Sequence, residues 1–302
     1  MHATVLICTR DRAADLQATL ASLSNVYVPP GMIAEVVIVD NGSREPIVQV
    51  VRGVQALGRA VRLIREDAGG KSIGLNTGMR RSSGRVVLFS DDDVRFPGDW
   101  LERMAEPILQ GTVDVVPGAV RIAPHLLRPW MTPMHRSWLA STEEIDFATA
   151  AGLVGANMAI ARKAVEAVGG FDPDLGPGAL GYMDDTLLGT HLKAAGYQFS
   201  RQAGSTVEHH FTADRLSRAA MLRAASAHGR TLAHVAWHYN GWRLPLLRLR
   251  RLKQAIAVKA HAWQGARPPD HATDCELNDE KGRAFFQQFA IERRRLRKVS
   301  QT

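Results

Sequence analysis

Four short apolar runs recur along the first ninety residues, and each stops at a polar or glycine-bearing turn: Thr4-Val5-Leu6-Ile7-Cys8, Glu35-Val36-Val37-Ile38-Val39, Ala60-Val61-Arg62-Leu63-Ile64 and Arg85-Val86-Val87-Leu88-Phe89. Runs this short with little polar alternation suit strands buried on both faces, which is the condition of a parallel sheet covered by helices. The segments between them supply the covering. Asp11 precedes Leu16, Leu20 and Leu23 at helical spacing, and 72–82 reads as a helix after a glycine-rich turn. The expected fold class is therefore α/β with a mostly parallel central sheet, in which ligands settle beyond the carboxyl ends of the strands.

Past residue 100 the pattern is mixed. Asp99 is expected to cap a helix with Trp100, Leu101, Met104 and Ile108 facing inward; 113–116 and 153–162 read as strands, and 163–168 and 184–195 as helices. Residues 124–150, rich in Pro, Trp, Met and His, read as a loop over the site. Trp130, Met131, Met134 and Trp138 there suit either an acceptor platform or packing. From Asp214 onward the chain reads as nearly all helix.

Composition narrows the class further. With 302 residues, 45% hydrophobic and 23% charged, the chain has the makings of a globular core and not of a disordered segment. No run approaches the roughly 20 apolar residues of a membrane span, and the amino terminus lacks a signal-peptide core, so a cytoplasmic location is expected. Cys8 and Cys275 stand alone and read as free thiols. The net charge of +8 is carried by the tail: residues 1–240 hold 24 basic and 24 acidic side chains, residues 241–302 hold 14 against 6. A neutral body argues against an extended nucleic-acid groove. The segment 242–259 has six basic residues, no acidic one and a leucine-rich remainder, so it suits either a helix packed on the protein or peripheral contact with the inner face of a membrane.

Three carboxylates, Asp91, Asp92 and Asp93, follow the fourth apolar run directly. Adjacent carboxylates repel, and the repulsion grows as water is excluded, so the cluster suits a hard divalent cation such as Mn²⁺ or Mg²⁺; a solvated acidic turn is the other reading. Lys71 follows Gly69-Gly70 at the expected start of a helix, where an anionic phosphate is favoured. Asp184 and Asp185 open a later helix and suit either a cap or acid–base chemistry. The glycine spacing fits neither a P-loop nor a dinucleotide fingerprint.

These pieces stand in a familiar order. Thr4 to Arg12, Val36 to Ser43, Gly70 to Asn76, Leu88 to Asp93, Gly155 to Ala159, Gly169 to Asp172, Asp184-Asp185 and Val207 to His210 together resemble the family-2 glycosyltransferases of GT-A fold, over roughly residues 3–215. The resemblance implies an inverting transferase that moves a sugar from a nucleoside-diphosphate sugar to a hydroxyl of a glycan, lipid-linked or small-molecule acceptor. It implies donor contacts from Thr9, Arg10, Asp40, Lys71, Asn76, Asp91, Asp92 and Asn157, a metal held by Asp93 and approached by His209, and Asp185 as general base beside Asp184. It divides the chain into a catalytic domain at 1–212, with a donor half at about 1–100 and an acceptor half at about 101–212, and a basic helical extension at 213–302. A catalytically silent nucleotide-sugar-binding module is the alternative, and a nucleic-acid-binding protein a weaker one.

Overall fold

The computed structural model describes residues 2–45, 47–149, 152–245 and 270–295. In chain order its strands are β1 (Ala3–Thr9), β2 (Ala34–Asp40), β3 (Gln55–Ala56), β4 (Arg59–Ala60), β5 (Arg62–Arg65), β6 (Val86–Ser90), β7 (Val94–Arg95), β8 (Val115–Pro117), β9 (Ala119–Ile122), β10 (Asn157–Ala161) and β11 (Thr206–His209). Six of them form one sheet in the order β5-β2-β1-β6-β10-β8. β5, β2, β1 and β6 run parallel, and β10 runs antiparallel to β6 and β8. Every residue of β1, β2 and β6 is buried, which is why their sequences show so little alternation.

Local differences from the sequence reading have local causes. Ala60 belongs to the β3–β4 pair, so the third apolar run enters the main sheet only at Arg62. The strand expected over 153–162 contracts to Asn157–Ala161, between a turn at 155–156 and a helix that begins at Arg162. Asp99 makes no capping hydrogen bond; its carboxylate pairs with Arg103 at 2.6 Å.

Helices at Ala13–Leu23, Lys71–Arg80 and Trp100–Leu109 bury their apolar stripes in one core shared with the sheet. The helix at Lys71–Arg80 lies so close that a Cβ on Gly78 would stand 2.3 Å from Leu6 Cδ1, and one on Gly74 2.7 Å from Cys8 Sγ. Glycine at both positions lets the helix seat against β1 and β2.

The described chain forms two compact units. The first comprises 1–127, 139–179 and 184–211, and the second 128–138, 180–183 and 212–302. In the second, helices at Arg218–His238 and Asp274–Glu292 pack together. Ser217 caps the first of these, and a Thr273–Glu276 capping box starts the other. They approach so closely at Gly229 that a Cβ there would lie 2.1 Å from the Lys281 carbonyl oxygen. The loop expected over 124–150 is not uniform: Pro133–Trp138 is a helix, and Met134 and Trp138 join an apolar cluster with Met221, Ala225 and Leu277. Trp130 stacks on His271 with ring centroids 4.6 Å apart. Most of the basic segment 242–259 lies outside the described residues. Among those described, no helix is long and apolar enough to cross a membrane. Cys8 and Cys275 are both free thiols, one buried and one exposed.

Candidate active site

Strand register brings the polar turns together. Thr9 is opposite Asp40 in the β1–β2 pair, and Ile7 is opposite Ser90 in the β1–β6 pair, so three turns emerge at the same edge of the sheet. Thr9 Oγ1 donates to Asp92 Oδ2 at 2.6 Å. Arg12, at the head of the first helix, reaches both of the following carboxylates: Nη1 lies 3.0 Å from Asp92 Oδ1 and Nη2 2.8 Å from Asp93 Oδ2. Both aspartates are buried. Burial pushes the Asp92 carboxyl up to about 7, with Arg12 opposing and Asp93 adding to the rise.

The three-stranded sheet β7-β11-β9 delivers a histidine to the same place. β11 pairs antiparallel with β7, setting His209 opposite Val94, and the His210 amide donates to the Asp93 carbonyl at 2.7 Å. His209 Nδ1 donates to the Leu139 carbonyl at 2.8 Å, so its Nε2 is the atom that faces Asp93 Oδ2, at 3.2 Å. A proton on Nε2, or a cation between the two atoms, satisfies that separation. Burial alone would raise the Asp93 carboxyl, but the hydrogen bond and charge of His209, together with Arg12, hold it well below the usual carboxylate range. Asp93 Oδ1 is buried and has no hydrogen-bond partner among the described residues. That unmatched charged oxygen beside an imidazole fixed by a backbone carbonyl fits a divalent cation. The neighbouring His210 faces elsewhere: its Nε2 lies 3.1 Å from Glu208 Oε2.

A second knot of charge surrounds Lys71. Its ammonium, only 16% exposed, pairs with Asp91 Oδ1. Burial would lower its pKa, but Asp91 and Asp184 outweigh that and hold it well above the ordinary lysine value. The first N–H of the helix is already committed, Lys71 N donating to the Pro177 carbonyl at 2.8 Å. An anion at this point would meet the side chain and the later amides of the first turn, not the first amide.

Asp185 is half-buried, with Oδ2 accepting from Gly155 N–H at 2.7 Å and Oδ1 from Thr186 N–H at 2.6 Å. A Cβ on Gly155 would lie 3.5 Å from both Asp185 Oδ2 and Lys71 Nζ, so the two charged groups converge on one small residue. Asp184 is buried beneath Gly176, and burial followed by the charge of Asp185 pushes its carboxyl up to about 7, against Lys71. With Asp40 at the end of β2, six aspartates share this edge with the paired cations Arg12, Lys71 and Arg65.

Four further residues expected at the site, Asp40, Asn76, Asn157 and Arg10, differ in how far their polar atoms are already engaged. Asp40 is buried, its Oδ1 accepting from Ser43 N–H at 2.9 Å and its Oδ2 pairing with Arg65 Nη1 at 2.7 Å. Burial would raise it, but hydrogen bonds from Ser43 and Arg65 lower it on balance. The Asn76 carboxamide clamps both backbone groups of Phe171, at 2.8 and 3.0 Å. Asn157 is engaged on both ends of its carboxamide. Fully buried, it accepts from Trp100 Nε1 at 2.9 Å and donates to the Ala119 and Ser205 carbonyls at 2.8 and 3.0 Å. Arg10 is exposed, with Nη1 3.8 Å from where a Cβ on Gly69 would stand.

Arg12 and Arg65 are the charged partners that sequence reasoning did not single out. Their signal was indirect: buried carboxylates at strand ends need cations nearby, and Arg12 stands three residues after β1 while Arg65 ends β5.

Comparison with known proteins agrees with this architecture. The family model described as Glycosyl transferase family 2 matches residues 4–169. Glycosyltransferase AglE of Haloferax volcanii is 31% identical over 118 residues, 39% of this chain and 38% of its own length. Succinoglycan biosynthesis protein ExoM of Rhizobium meliloti is 29% identical over 122 residues, 40% of this chain and 39% of its own. The alignments thus span under two fifths of these relatives' length. The mannosyltransferase PcManGT from Pyrobaculum calidifontis, solved in complex with GDP-Man and Mn²⁺, superposes with a TM-score of 0.58 at 18% identity, covering 96% of this chain and 86% of that one. At that identity the likeness is one of fold.

Proposed function

Because the chain belongs to glycosyl transferase family 2, we propose that it moves a sugar from a nucleoside-diphosphate sugar to an acceptor hydroxyl, by direct displacement with inversion at the anomeric carbon. One observation carries the reading: Asp93, with a buried oxygen unmatched among the described residues, stands 3.2 Å from the Nε2 of His209 at the carboxyl edge of a parallel sheet. The fold likeness to a mannosyltransferase that holds GDP-Man and Mn²⁺ supports the same assignment.

In this reading Thr9, Arg10, Asp40 and Asp91 face the nucleoside. Asp93 and His209 hold the divalent cation, Mn²⁺ or Mg²⁺, which supplies charge neutralisation at the diphosphate when bound. Asp92, tied to Thr9 and Arg12, fixes the turn that presents Asp93. Lys71 holds Asp91 before the donor arrives and offers its ammonium to the phosphates afterwards. Asp185 takes the acceptor's proton. It is the solvent-accessible member of its pair, and amides on both oxygens fix its direction. Asp184 positions it from below. Residues 1–100 serve the donor, 101–212 the acceptor, and 213–302 extend the catalytic domain.

Calorimetric titration with a panel of nucleotide sugars, with and without Mn²⁺, tests the proposal. Donor binding should require the ion and be lost in Asp93→Ala. A donor affinity unchanged by that substitution in the presence of Mn²⁺ overturns the metal assignment.

A further inference from the structure

The second unit holds a cluster that the proposed transfer reaction does not use. His234 and His238 lie one turn apart on the helix Arg218–His238 and so share a face. Glu292 ends the helix Asp274–Glu292, and the close approach of the two helices at Gly229 carries its carboxylate to that face. All three side chains are buried, and one ligand atom from each lies within 4.8 Å of the others.

We propose that His234, His238 and Glu292 form a second metal site, one that takes a borderline divalent ion of the Zn²⁺ type. Four ligands at 2.0–2.1 Å around such an ion stand about 3.3 Å from one another. The separations here are 3.5 Å from His234 Nδ1 to Glu292 Oε1 and 3.1 Å from His238 Nε2 to Oε2, so each imidazole meets its own oxygen of one carboxylate at close to that edge length. The longer one is poor for a hydrogen bond and suitable for two ligands of a common ion. Gln288 Nε2 donates to Glu292 Oε1 at 2.5 Å, an orienting contact of the kind that surrounds metal carboxylates. Arg295, half exposed, forms an ion pair with Oε2 at 3.6 Å, longer than a hydrogen bond and able to yield to an ion held directly by the carboxylate. Two imidazoles and one carboxylate select Zn²⁺, Co²⁺ or Ni²⁺ over Mg²⁺. This sets the site apart from the oxygen-rich cluster at Asp93.

The test uses the full chain carrying Asp93→Ala, which removes the proposed catalytic cation from the count. After chelation and dialysis against Zn²⁺, elemental analysis should find one ion retained per chain, and Co²⁺ should give the intense visible absorption of a tetrahedral site. Adding His238→Asn, or separately Glu292→Gln, should lower Zn²⁺ affinity by at least tenfold. No retained ion, a weak octahedral-type Co²⁺ spectrum, or retention unchanged in both added variants overturns the proposal. The Co²⁺ spectrum of the parent decides it even where an added substitution impairs folding.

Discussion

Asp185→Asn separates chemistry from binding, and the structure says what else it disturbs. The carboxylate accepts one backbone N–H on each oxygen, from Gly155 at 2.7 Å and Thr186 at 2.6 Å. A carboxamide has a single oxygen, so in either orientation its NH₂ meets one of these donors. Losing a hydrogen bond and opposing two donors costs about 1–3 kcal/mol, and the half-exposed position sets the lower end, near 1 kcal/mol. For a chain of 302 residues that lowers the thermal midpoint by roughly 1.5–2 °C. Removing the base lowers turnover by about 10²–10⁴, the ordinary worth of general-base catalysis. Donor affinity should move only a few-fold. The assay measures nucleoside diphosphate release with donor and acceptor, calorimetric donor affinity, and thermal unfolding by circular dichroism. Near-normal turnover in a folded Asp185→Asn variant refutes the base assignment, and a far larger loss in Asp184→Asn transfers it to the other member of the pair.

Asp184 also ties stability to pH. Its carboxyl, raised to about 7, keeps in the folded chain a proton that the unfolded chain releases near pH 4. Stability should therefore fall as pH rises from about 4 to 7, and Asp184→Asn should flatten that slope; thermal midpoints across the range would contradict this by showing equal slopes. Asn157→Ala strands Trp100 Nε1 and two carbonyls, so it should lower stability by at least about 2 kcal/mol while leaving donor affinity intact. Selective loss of donor binding with stability unchanged would return Asn157 to the site. Gly229→Ala drives a methyl against the Lys281 carbonyl and should cost roughly 1–3 kcal/mol despite the better helix propensity of alanine. A thermal midpoint equal to or above that of the unsubstituted chain would show that the two helices can part without loss.

How much of this was legible in the sequence depends on the range of the interaction. Buried parallel strands leave uninterrupted apolar runs, and helices on such a sheet leave leucine stripes, so the α/β class and most element positions could be read directly. Carboxylates directly after a buried strand also stand out, because backbone connectivity alone sets them at the strand's carboxyl end. Ends blurred where a neighbour competed for the same residues, as Ala60 went to a hairpin and Asp99 to Arg103.

The roles of individual polar side chains were less legible. Asn76 sits in a motif beside Lys71, yet its carboxamide serves Phe171, 95 residues away in the chain. Arg12 reads as a helix-start residue and becomes the bridge between Asp92 and Asp93 only when β1 and β6 are in register. His209 meets Asp93 because β11 pairs with β7, a two-residue strand with almost no sequence signature. The sequence by itself therefore determined where the chain is buried, how it alternates between strand and helix, and which turns carry charge, since those follow from local dihedral preference and hydrophobic period. Only the tertiary structure decided which charges meet and which carboxamides are already satisfied, because a hydrogen bond closes within a few tenths of an ångström and that distance is set by strand register and helix seating across scores of residues.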